Sequence, residues 1–153
     1  MSADAGKALV SALEVHQQNV GVAVQACGAI KLLAAGTDAN ADARRNALLS
    51  AGAAAALVLT LSAHAQDAEV VGPACDAISS LATGSAERCE QLVLAGAGEA
   101  LVRALESDRT SWAAVMALRH LIRGSPSCEE RLEKAGARKA VQGSSWHGDW
   151  SNV

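Results

Sequence analysis

Apolar residues along this chain recur at three- and four-residue spacing in short segments punctuated by glycine, and the segments themselves repeat. An Ala-Gly pair stands at Ala5-Gly6, Ala51-Gly52, Ala95-Gly96 and Ala135-Gly136, with the glycines 46, 44 and 40 residues apart. Behind each pair runs a similar apolar pattern: Ala8-Leu9-Val10 with Leu13, Ala56-Leu57-Val58 with Leu61, Ala100-Leu101-Val102 with Leu105, and Ala140-Val141. A second pattern keeps the same phase. Ala26-Cys27-Gly28-Ala29-Ile30 with Leu33 returns as Ala74-Cys75-Asp76-Ala77-Ile78 with Leu81, and more loosely as Ala114-Val115-Met116-Ala117-Leu118 with Leu121. Each period of about 44 residues therefore predicts three amphipathic helices, because only a helix places positions three and four apart on one face.

The punctuation assigns helix ends. Gly36, Gly84 and Gly124 close the third helix of a unit, where positive φ is expected at the residue after the helix. Helix starts are expected at Thr37-Asp38, at Ser85, and at Ser127 with Glu130 three residues on, the last a capping-box spacing behind Pro126. The Ala-Gly pairs are expected at a sharp bend with little room for a side chain, and Pro73 in the first turn of its helix, where a missing N–H is tolerated.

Composition narrows the class further. Half of the 153 residues are apolar, yet Phe and Tyr are absent, Trp occurs three times, and roughly a quarter of the chain is alanine. Such a chain lacks the β-branched and aromatic stock of sandwiches and barrels and favours closely packed helices. The net charge is −3, from 13 basic and 16 acidic residues, and the charges are dispersed. Without a basic stripe to neutralise phosphates, no nucleic-acid partner is expected. No apolar run approaches the roughly 20 residues that span a bilayer, and the N-terminus lacks a signal-peptide pattern. A cytoplasmic location is expected, extending to the nucleus. The four cysteines are expected to be reduced and mostly buried.

A period near 40 with two or three helices fits HEAT or armadillo solenoids. The short helix, the Ala-Gly bend, a helix patterned A-L-V-x-x-L and a long helix patterned A-C-x-A-I-x-x-L-A resemble armadillo repeats of the importin-α and β-catenin kind, over about residues 5–142. The resemblance implies an all-α fold, a right-handed α-α superhelix of about three repeats with incomplete ends. Its expected divisions are a partial repeat over 3–34, complete repeats over 37–84 and 85–124, and a partial repeat over 127–142. Residues 143–153 form a polar tail, read as flexible, vector-derived or strapped over an end. A solenoid cut in mid-repeat exposes an apolar face, so a fragment of a longer protein or self-association through uncapped ends is expected.

No catalytic, cofactor or metal site emerges. Cys27 and Cys75 hold equivalent places in two repeats, as packing residues do. Cys89 and Cys128 lack a C-x-x-C or a histidine pattern, which argues against zinc. His16 and His64, 48 residues apart, fall at a helix C-terminus, which favours a cationic side chain. Gly96-Ala97-Gly98 follows a helix and not a strand, so it fails as a phosphate loop. Gly143 to Gly148 has Ser and His but no G-x-S-x-G spacing.

What remains is a binding surface. By helical angle, Val24, Gly28 and Lys31 point away from the core on the first of the third helices. Gly72, Asp76 and Ser79 do so on the second, and Trp112, Met116 and Arg119 on the last. The resemblance implies that these residues, together with Leu32, Ser80 and His120 at positions matched to the family's binding residues, line a concave groove for a protein or extended peptide. Trp112 and Met116 beside Arg119 are the expected anchors, since Trp and Arg dominate interface hot spots. The Trp and Asn ladder of importin-α is missing: its positions hold Gly28 and Leu32, Asp76 and Ser80, Met116 and His120. The sequence thus predicts a non-enzymatic scaffold or adaptor. Its alternatives are a nuclear import adaptor with a degenerate groove, or a regulatory or targeting region of a multidomain enzyme.

Overall fold

The computed structural model describes residues 3–107 and 109–144, and every regular element among them is a helix. Two helices come first, α1 (Ala3–Val15) and α2 (Val20–Ala34). Two triplets follow: α3 (Ala41–Ser50), α4 (Ala53–Ala63) and α5 (Ala68–Ala82), then α6 (Ala86–Leu94), α7 (Ala97–Ala104) and α8 (Ser111–Gly124). The pair α9 (Pro126–Lys134) and α10 (Ala137–Gly143) ends the described part. From residue 145 onward the expected polar tail, which holds Trp146 and Trp150, lies outside the described residues.

Helices at matching places in successive units pack on one another. α2 rests on α5 and α5 on α8, α1 on α4, α4 on α7 and α7 on α10, while α6 packs on α9. The side chains between them are in phase. Ile30, Ile78 and Leu118 are fully buried, as are Leu48, Leu92 and Leu132, and each such burial contributes about 1.5–3 kcal/mol. Between these large residues lie buried alanines, Ala26, Ala74 and Ala114 in one row and Ala53, Ala97 and Ala137 in another. A larger side chain at either row would push helix axes beyond the usual 8–10 Å spacing. The result is an all-α, repeat-like stack with one continuous core.

Several local expectations need correction. Gly52, Gly96 and Gly136 are required by conformation and not by lack of room. Their φ values are +97°, +98° and +86°, and a Cβ at Gly136 would meet nothing within 4 Å. Gly6 lies inside α1 and not at a bend. Gly36 and Gly84 do take positive φ, but Gly124 does not. It ends α8 against α6, where an added Cβ would overlap the Cys89 sulfur and sit 3.0 Å from its Cβ. Ser125, not Ser127, caps α9, accepting the Ser127 N–H at 3.2 Å with Pro126 as first helical residue. Asn40 occupies the N-cap of α3 in place of Thr37-Asp38; the Asp38 carboxylate accepts the Asn40 N–H just ahead of the helix. Pro73 sits in the second turn of α5, and the Glu69 carbonyl four residues back loses its partner there on an exposed side.

Candidate interaction surface

The outer faces of α2, α5 and α8 adjoin because these helices pack in sequence. On α2, Val24 and Gly28 are half-buried while Lys31 and Leu32 are exposed, Leu32 by 75%. On α5, Asp76 is exposed and Ser79 and Ser80 are half-buried. On α8, Trp112 is 64% exposed, Met116 and Arg119 are half-buried, and His120 is exposed. Trp112 is thus not consumed by packing against a neighbouring unit. A Cβ at Gly28 would meet nothing within 4 Å, so that part of the surface is open.

The charges divide the surface in two. Between α2 and α5, Lys31 Nζ donates to Asp76 Oδ2 at 2.6 Å, and the pair neutralises itself. Held in the open, it adds little stability. The α8 end has no such compensation. α8 contains no carboxylate, and among the described residues none pairs with Arg119 or Arg123. The Arg119 Nε is shut off from solvent and has no acceptor. Met116, Arg119, His120 and Arg123 line a depression of about 330 Å³. His120 and Arg123 also border a second, of about 380 Å³, that runs to the turn holding Thr83, Gly84 and Ser85. Arg123 was absent from the sequence expectation, although it continues the row from Met116 and Arg119 at helical spacing.

Sequence reasoning also missed the residues that hold the helices carrying this surface. Arg44 Nε donates to the Leu33 carbonyl at 2.8 Å and its guanidinium reaches the Ala35 carbonyl at 3.0 Å. One unit later Arg88 does the same to Leu81 at 3.0 Å and Thr83 at 2.6 Å. Each arginine satisfies the orphan carbonyls that end a third helix. Arg88 also reaches back to Asp42 at 2.8 Å and Asn46 at 3.2 Å, which ties α6 to α3. Arg45 Nε lies between the Ala34 carbonyl at 2.9 Å and the Ser80 carbonyl at 3.1 Å, the latter in the next unit. The phase of Arg44 and Arg88, at equal distance before Gly52 and Gly96, was the available signal.

The remaining candidates have structural places. All four cysteines are free and buried. Burial pushes the Cys27 thiol up to about 12 and Cys128 to about 11, and raises Cys75 and Cys89 as well. His64 ends α4 and contacts the Gln17 carbonyl at 2.8 Å, linking the turns of two units, while His16 is exposed. Among the described residues no group of three His, Cys, Asp or Glu could hold a metal ion. No single helix there is long and apolar enough to cross a membrane.

An all-helical, repeat-like protein with an open surface on stacked helices is the class these features define. No family model matches the chain, and no curated protein does. Among solved structures, the crystal structure of an engineered protein is similar to it, with a TM-score of 0.76 and 26% identity over 88% of this chain. The chain spans about half of that protein, 53% of its length.

Proposed function

We propose that the chain is a non-enzymatic interaction module of the armadillo type, a right-handed α-α superhelix that offers its third helices to a protein or extended peptide. The phased repeats, the in-register packing of α2, α5 and α8, and the fold likeness support the superhelix. The observation that carries the binding role is the exposed Trp112 on the same face as Met116 and Arg119. A large apolar side chain left in water beside an unpaired arginine has the makings of an anchor. Rigid helices lower the ordering cost of holding an extended partner. A location inside the cell belongs to the same proposal, as do the free thiols.

Affinity capture from extract with the wild-type and Trp112→Ala proteins tests it. A partner retained by the wild type should be lost or weakened at least about tenfold by Trp112→Ala, with the melting temperature unchanged. Equal capture together with a lowered melting temperature assigns Trp112 to packing and overturns the reading.

A further inference from the structure

We propose that the α8 end of this surface binds an acidic extended peptide, one that sets an apolar side chain against Trp112 and Met116 and carboxylates against Arg119 and Arg123. This rests on the interaction-module reading and gives its partner a chemistry. The chain as a whole is acidic, with net charge −3, yet α8 holds Arg119 and Arg123 and no carboxylate. Of the two carboxylates of α5, Asp76 is already taken by Lys31, and Glu69 stands in the first turn of the helix, in a depression lined also by Arg109 and not by Arg119 or Arg123. Glu90, beneath the turn, accepts the Ser125 hydroxyl at 2.9 Å.

A helix C-terminus attracts cations without any partner, and this accounts for Arg123 in the last turn of α8. It does not account for Arg119, whose Nε is hidden from water with no acceptor. Arg119 as a whole is nonetheless half-buried and lines the depression it shares with Met116, His120 and Arg123, and a carboxylate seated there would pair with a guanidinium that no carboxylate among the described residues meets. The dimensions suit a peptide. From Trp112 to Arg123 is about 16 Å along the helix, which about five extended residues cover. Two arginines on an otherwise acidic chain are too few for the phosphate backbone of a nucleic acid.

The probe is a fluorescein-labelled nine-residue peptide with one Leu followed, two and three residues later, by pairs of Asp and Glu. Its binding to the full chain is read by fluorescence anisotropy. The expected result is saturable binding that is lost when the acids are replaced by Lys and that weakens with salt. Arg119→Gln and Arg123→Gln should each weaken it about tenfold, while Arg103→Gln on α7 leaves it unchanged. The double charge reversal R119E/R123E should transfer preference to the Lys peptide, a gain that a folding defect cannot imitate. No binding of the acidic peptide, or binding indifferent to both arginines, overturns the inference. Tighter arginine-dependent binding of a single-stranded RNA oligomer or of phosphatidylserine vesicles overturns it too. If the acidic peptide fails while Trp112→Ala still abolishes capture of a partner, the interaction-module reading stands and only its charge preference falls.

Discussion

Asp38 and Arg44 show how much a single side chain does at the turn between α2 and α3. The Arg44 guanidinium bonds both carboxylate oxygens, at 2.8 and 3.0 Å, and with the Asn40 N–H holds the Asp38 carboxyl down at about 2. Because the folded value lies below the unfolded one, the stabilisation is full above about pH 4 and is lost as pH falls toward 2. Acid unfolding of Asp38→Asn should therefore show a shallower pH dependence in that window than the wild type. The thiols behave oppositely. With all four pushed upward by burial, a thiol-disulfide reagent at pH 8 should titrate none of them in the native protein and all four after denaturation. The cysteines were legible in the sequence, since two of them recur in phase. The arginines were not: in a polar first helix a buried Arg88 is written like any surface charge, and only folding brings the carbonyls of α5 to it.

At the level of elements, the helix ends decide what can be substituted. Arg88 is about 5% exposed and serves two carbonyls that end α5, so Arg88→Ala strands the buried one, at Leu81, inside the protein. A loss of about 2–4 kcal/mol is expected in denaturant titration. Gly124→Ala should be destabilising through overlap with Cys89, by about 1–3 kcal/mol, and combination with Cys89→Ala should recover part of the loss. Helix type and order were readable because apolar spacing reports directly on a helical face. The reasons for the glycines were less so. One letter serves both a left-handed backbone, as at Gly96, and a close helix approach, as at Gly124, and the sequence alone does not separate them.

For the whole molecule, the surface was legible as a set of outward positions, but its electrical division was not. That α2 and α5 neutralise each other through Lys31 and Asp76 depends on a contact across 45 residues of sequence, whereas the unpaired state of Arg119 depends on everything around it. The proposed self-association has its own check. Leu32 and Val15 are exposed by 75% and 71% at the first pair of helices. Light scattering across a concentration series should show mass rising above that of one chain, and Leu32→Glu should return it to one. A single-chain mass at the highest concentration would overturn self-association.

The arginine at position 45 sits between two carbonyls that belong to different units, one ending α2 and one near the end of α5. Neither unit can come apart without releasing a donor that the other also uses. In a stack whose stability is a sum of unit terms and nearest-neighbour terms, such a shared donor raises the neighbour term. The chain should then melt as a single cooperative body, not fray inward from its first pair of helices.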